Sequence, residues 1–390
     1  MPRRLVLCLD GTWNTQSSFT NVWRINVALS RTAEQEVYYD QGVGTRAFEG
    51  ISGGALGKGL SATVLRAYLW LTEKYRDGDQ IFVFGFSRGS YTARSLVGFL
   101  SVCGILRPDA PINIDQAFSY YRKPGVTRES EGAVEFRERN SLEFEHGRPP
   151  CVELLGVFDT VGALGIPYAQ IPLFEDYRWH KVHLSEIVRH AYHALAIDEH
   201  RELFDAALWR NRYPHQTVEQ RWFVGAHANV GGGYLEDRLS IRPLEWMQQR
   251  SKALGLQFDY DPCRIRDRSA FLSEPVKDSW AEFLSGGYAK VRNVKNAFTS
   301  PRFYRTIGSR EFWEPGREDF AMPRRFDTLH KAGERIRLGL ERRGWVDPAK
   351  RPDPAVGEVL DGSVDERVRR NRLYRPPNLK PFYDQATWGS

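Results

Sequence analysis

Five short runs of apolar, β-prone residues punctuate roughly the first 230 positions: Leu5–Leu9, Val37–Tyr39, Ile81–Phe84, Val152–Phe158 and Trp222–Val224. Most are continuous rather than alternating. A strand with one wet face alternates apolar and polar residues, whereas a strand covered on both faces does not. Helical stretches lie between the runs, at Ala62–Tyr75, Ser90–Leu100 and Leu184–Ala196. Strands alternating with helices predict an α/β fold, a doubly wound and mostly parallel sheet with right-handed crossovers. Beyond about residue 240 the pattern changes. Ile241–Leu254 reads as a helix, and the polar, aromatic, turn-rich stretch 260–350 reads as a largely helical C-terminal cap. A second insertion spans about 113–150. The whole chain, 1–390, is expected to form one domain carrying these two segments.

The third run enters Gly85-Phe-Ser87-Arg-Gly89, a Gly-x-Ser-x-Gly pentapeptide, and a helical stretch leaves it. The pentapeptide alone is a weak signal. Strand, sharp turn and helix together make the setting of a nucleophile elbow, in which the serine is exposed at the helix N-terminus. Small residues at 85 and 89 relieve the crowding of such a turn, and the Arg88 backbone N–H becomes a candidate oxyanion donor.

A serine nucleophile needs a base, and the base needs an orienting acid. Asp159 closes the fourth run and is followed by a loop, where this fold class places its acid; capping of the next turn is the alternative. His227 follows the fifth run and opens the glycine-rich segment Ala228-Asn-Val-Gly231-Gly-Gly233. The histidines at 180, 183, 190, 193 and 200 fall on the helix expected at Leu184–Ala196 and its flanks, so none of them is expected to follow a strand.

The first run ends in Asp10-Gly-Thr-Trp13. Phosphatases of the haloacid-dehalogenase type carry Asp-x-Asp-Gly-Thr here, but this chain has Cys8 at the nucleophile position. In a serine hydrolase the same loop lies beside the elbow. Gly11 or Thr12 could then supply a second oxyanion N–H; the alternative is that Asp10 is a buried hydrogen-bond hub that fixes the loop. The segment Gly53-Gly-Ala-Leu-Gly57-Lys-Gly59 misses a phosphate loop, having Ser52 and Gly59 where Gly and Ser or Thr are needed, and reads instead as a flexible, lid-like loop.

Four motifs, Cys8-Leu-Asp-Gly-Thr-Trp-Asn14, Gly85-Phe-Ser-Arg-Gly-Ser-Tyr-Thr-Ala-Arg94, Phe158-Asp-Thr-Val-Gly162 and Gly225-Ala-His-Ala-Asn-Val-Gly-Gly-Gly-Tyr234, together resemble a family of uncharacterised α/β hydrolases. That family includes the catalytic domains of type VI secretion phospholipase effectors. The tail, Gly362–Arg370 and Tyr374–Leu379, is similar too. The resemblance implies an α/β-hydrolase fold, a triad of Ser87, Asp159 and His227, and hydrolysis of lipid or related acyl esters without metal or cofactor. Where the family often has Asp two residues after the triad histidine, this chain has Asn229, so loop chemistry or pH optimum could differ. Against the best-known effectors, these 390 residues are expected to be without the large additional membrane-binding region, so the resemblance speaks more firmly for hydrolysis than for a phospholipid substrate.

Composition narrows the classes. Hydrophobic residues at 41% and charged residues at 27% point to a packed fold. The net charge of +6 is scattered without a long basic run, so no nucleic-acid partner is expected; peripheral membrane contact stays open. The four cysteines, Cys8, Cys103, Cys151 and Cys263, are widely separated and suggest neither a zinc site nor a disulfide framework. The first apolar run stops at Asp10 after about five residues, short of the roughly 7–15 of a signal peptide core. A cytoplasmic protein is expected, with export by a signal-independent machine left open. The alternative function is a non-catalytic, partner-binding member of the fold, or hydrolysis of small non-lipid esters.

Overall fold

A computed structural model describes residues 2–11, 19–42, 53–143, 147–161, 183–201, 204–234, 238–263, 270–277, 305, 307, 355–383 and 387–388. Among these, seven strands build one sheet: β1 (Arg4–Leu9), β2 (Gln35–Asp40), β3 (Gln80–Phe86), β4 (Cys151–Phe158), β5 (Val188–Ala196), β6 (Thr217–Phe223) and β7 (Glu358–Leu360). Their order is β2-β1-β3-β4-β5-β6-β7, and every neighbouring pair is parallel.

Side-chain alternation explains the continuous apolar runs. In β1, Leu5, Leu7 and Leu9 face one layer, where they meet Val64, Tyr68 and Leu71 of α2 (Gly53–Lys74) and Leu96, Phe99 and Leu100 of α3 (Arg88–Cys103). Val6 and Cys8 face the other layer, with Val22 and Ile25 of α1 (Asn21–Ala28). Two alternating patterns, one per face, sum to an unbroken apolar strand. In β4 the register shifts beside Glu153, so Val152 and Leu154 face opposite layers. A bulge of this kind moves every later side chain to the other face.

The insertion near 113–150 carries α4 (Ile114–Tyr121) and α5 (Glu131–Asn140). Asn113 caps α4 with a reciprocal side-chain and backbone bond to Gln116, and Phe118 and Tyr121 pack on Phe99 of α3. The short α6 (His227–Gly231) and α7 (Ile241–Ala253) follow β6, and α8 (Gly362–Arg370) follows β7.

Two sequence expectations fail here. Leu184–Ala196, read as a helix, contains β5 instead. Its apolar positions Val188, Ala191, Tyr192 and Leu195 fit helical spacing, but the segment lies between β4 and β6, where ladder pairing and burial on both faces override weak local preference. Residues 53–59, read as a loop, form the start of α2. The strand β7 went unseen because three residues carry no periodic signal. Most of the expected cap at 260–350 lies outside the described residues, including Trp280, Phe283, Tyr288, Phe298, Phe303 and Tyr304. Phe271 is described; it is buried in the body beneath the Arg242 guanidinium. All four cysteines are free thiols, three of them buried and Cys151 half-buried. Among the described residues no helix is long and apolar enough to cross a membrane.

Candidate active site

Ser87 stands alone between β3 and α3, with φ 57° and ψ −121°. A non-glycine residue held in such a conformation costs about 1–3 kcal/mol and persists only when its surroundings over-determine it. Here Ser87 N donates to the Phe158 carbonyl at 3.0 Å, and Ser90 Oγ donates to the same oxygen at 2.9 Å. The flanking glycines are dictated by close approach. A Cβ on Gly85 would lie 2.6 Å from the Gly89 oxygen, and one on Gly89 would lie 2.2 Å from the Leu9 oxygen. The elbow is therefore pressed against the end of β1. Arg88 is the first residue of α3, so its N–H belongs to the turn that helices leave without internal partners.

Asp159 is the first residue beyond β4 and also has positive φ, 41°. Its N–H donates to the Ala194 oxygen at 2.7 Å. Its carboxylate is fully enclosed: Oδ1 accepts from Ala196 N at 3.0 Å and from Arg305 Nη1 at 2.5 Å. Oδ2 accepts from His227 Nδ1 at 2.6 Å and from Arg305 Nη2 at 3.0 Å. Burial alone would raise this carboxyl's pKa, but the Arg305 charge and the His227 hydrogen bond outweigh it and hold the group below the ordinary carboxylate range.

His227 opens α6, three residues beyond Val224. Its backbone N–H donates to Glu199 Oε2 at 3.2 Å. The imidazole packs against Phe86, with centroids 4.8 Å apart, and edge-on against Phe204 at 5.2 Å. Phe86 immediately precedes Ser87, so this contact draws the histidine toward the elbow. Burial lowers the imidazole pKa more than Asp159 raises it, so the ring is neutral at pH 7. Donation from Nδ1 to Asp159 assigns the tautomer and leaves Nε2 as the basic nitrogen. No hydrogen bond joins Ser87 Oγ to His227 among the described residues; in hydrolases without substrate this bond is often long and tightens on binding.

The other sequence candidates divide. Asp10 is a buried hub, accepting from Gly11 N at 2.7 Å, Thr20 Oγ1 at 2.5 Å and Tyr39 OH at 3.1 Å. The Gly11 N–H, one of the two candidates for the second oxyanion donor, is thus engaged by its neighbour's carboxylate, which supports the hub alternative for Asp10. Thr12 lies outside the described residues. Asn229 Oδ1 accepts from Ala226 N at 3.1 Å, capping α6 as an Asp would.

Two residues escaped the sequence reading. Glu199, buried and paired with Arg201 at 2.8 Å, anchors the His227 backbone. It lies just past β5, a strand whose alanines and histidines carry no strand signal in the sequence; His200 likewise follows that strand. Arg305 comes from the aromatic stretch that carried no motif. His193, expected on a helix, is a buried β5 residue whose Nε2 accepts from Thr160 N at 3.1 Å, with burial pushing its pKa down to about 3. It is a neutral support for the Asp159 turn. Among the described residues no group of three or more His, Cys, Asp or Glu side chains could hold a metal ion.

An oriented Asp–His pair and a serine on a strained strand-to-helix turn each lie beyond the carboxyl ends of parallel strands. Residues 3–250 match the family described as the catalytic domain of type VI secretion, Tle1-like phospholipase effectors. The chain belongs to this family. An uncharacterised Saccharomyces cerevisiae protein is 27% identical over 228 residues, which are 52% of this chain and 32% of that protein. Among solved structures, an uncharacterised Pseudomonas aeruginosa protein aligns over 71% of this chain and 49% of its own, at 18% identity and a TM-score of 0.43. The Tle1 effector bound to the VgrG spike of the type VI secretion system aligns over 60% and 51%, at 16% identity and a TM-score of 0.35. This Tle1-like chain therefore spans about a third of the yeast relative's length and about half of each of these structures.

Proposed function

We propose that this Tle1-like protein hydrolyses carboxylic esters, and lipid acyl esters in particular, through an acyl-serine intermediate. The observation that carries the reading is the 2.6 Å bond from His227 Nδ1 to Asp159, formed where the Phe86 ring links the imidazole to the Ser87 elbow. Ser87 Oγ attacks the ester carbonyl carbon while His227 Nε2 takes its proton. The tetrahedral oxyanion is held by the Arg88 N–H and a second donor, for which Thr12 remains the candidate. Collapse expels the alcohol, protonated by His227, and leaves the acyl group on Ser87. A water, deprotonated by His227, then releases the acid. Asp159 stays ionised, fixes the imidazole tautomer and stabilises the transient imidazolium.

The lipid part rests on the family rather than on a described pocket. Hydrolysis of phospholipids would bring the protein into peripheral contact with a bilayer. A panel running from acetyl to dodecanoyl p-nitrophenyl esters below their micellar limits, alongside phospholipid vesicles, tests it. Fatty acid should be released from the vesicles. kcat/KM should rise with acyl length, each buried methylene contributing about 0.8 kcal/mol until the site is full. A steady fall with length would redirect the assignment to small esters. No turnover on any member would favour the non-catalytic alternative.

A further inference from the structure

We infer that Arg305 is a positioning residue of the active site, holding Asp159 in place and setting the pH at which the Asp159–His227 pair loses its proton. The inference rests on the catalytic reading above and extends it to a residue beyond 3–250, the span that matches the family.

The geometry is that of a buried clamp. The guanidinium meets both Asp159 oxygens, at 2.5 Å and 3.0 Å, and both residues are essentially closed to solvent. It is itself held by the Ala196 carbonyl at 2.9 Å and by the Phe204 carbonyl. Asn378 Nδ2 donates to the Arg305 carbonyl at 3.3 Å, tying this backbone to the C-terminal tail. Asp159 thus answers to two cationic partners, a permanent one in Arg305 and a transient one in protonated His227. A two-pronged arginine contact fixes a carboxylate plane far better than a single bond does. With Oδ1 occupied by Arg305 and Ala196, Oδ2 faces the imidazole.

The electrostatic consequence has a definite sign. Among the described residues, the charged and titratable groups facing the pair are His193 from β5, Glu199 and Arg201 from the turn after β5, Asp205, and Arg305. Glu199 is matched by Arg201. Arg305 offsets the Asp159 charge, so the imidazolium is attracted less than beside an uncompensated carboxylate, and the ring stays neutral to lower pH. Taking Arg305 away strengthens proton binding by the pair, whichever member holds the proton. The acid limb of activity then moves to higher pH.

The test measures kcat/KM against pH on a soluble short-chain ester for the wild type, Arg305→Met, Arg305→Lys, Asp159→Asn, the Asp159→Asn/Arg305→Met pair and Ser87→Ala. Arg305→Met should raise the midpoint of the acid limb by about 1–3 pH units, the usual effect of an adjacent opposite charge on a carboxyl group. Arg305→Lys, which keeps the charge without the fork, should move it less. In the Asp159→Asn background, Arg305→Met should cost little more, because residues that act through one another are not additive. If Arg305→Met fails to fold, folding of the double variant, which leaves no buried charge unpaired, supports the coupling. Acid limbs left in place by both Arg305 substitutions in folded protein, or a double variant losing the full product of the two single factors, would overturn the inference. Those outcomes with Ser87→Ala inactive would refute the Arg305 role alone, whereas an active Ser87→Ala would refute the catalytic reading beneath it.

Discussion

Ser87→Ala is expected to lower ester hydrolysis by a factor on the order of 10⁵–10⁶, leaving the residual catalysis that binding and oxyanion stabilisation alone provide. The substitution removes one oxygen and nothing that the fold depends on. The bonds that hold the turn are made by the Ser87 backbone and by Ser90 Oγ, and both survive. Alanine also tolerates the positive φ no worse than serine. The thermal transition should therefore stay within a degree or two of the wild type, by the usual size of neutral surface-like changes. Steady-state rates on a short ester, with mass spectrometry confirming the variant, make the check. Near-wild-type turnover would remove Ser87 from the chemistry.

Asp159→Asn is the second large effect, and it acts on two links at once. The amide can present its NH2 to His227 Nδ1, which selects the wrong imidazole tautomer; a loss of about 10⁴-fold in kcat is the precedent for an orienting Asp changed to Asn. The same change leaves the buried Arg305 guanidinium without its anion, and breaking a buried pair from one side costs about 3–5 kcal/mol. Rates and chemical denaturation measured on one preparation separate the two consequences. Activity within tenfold of the wild type would mean that Asp159 does not orient the base. An unchanged unfolding free energy would mean that the Arg305 pair carries little of the stability.

The division between what the sequence revealed and what it hid follows from how local each signal is. The candidates Ser87 and Asp159 directly follow buried strands, which announce themselves as unbroken apolar runs, and His227 lies three residues beyond the short apolar run Trp222–Val224 at the end of β6. Leu5 through Leu9 illustrate why: alternate residues serve opposite layers, and both layers are apolar. The segment Val188–Ala196 misled because its alanines and histidines favour no strand, and only its neighbours β4 and β6 make it one. The Gly11 N–H could not be assigned in advance, since its partner is decided by the Asp10 rotamer. Arg305 was the least accessible. It is one of 55 lysines and arginines and lies 146 residues from Asp159. Nothing near it in the chain distinguishes it from a solvated surface arginine.

Covalent capture tests the central claim most directly. A fluorophosphonate reacts with a serine only where a neighbouring base activates it, and the adduct stays on the oxygen that attacked. The pure protein should gain one phosphonyl group, peptide mapping should locate it on Ser87 within Gly85-Phe-Ser-Arg-Gly89, and both Ser87→Ala and His227→Ala should fail to label at the wild-type rate. A protein that turns over esters yet takes no label, or takes it on a different residue, would contradict catalysis by Ser87, His227 and Asp159.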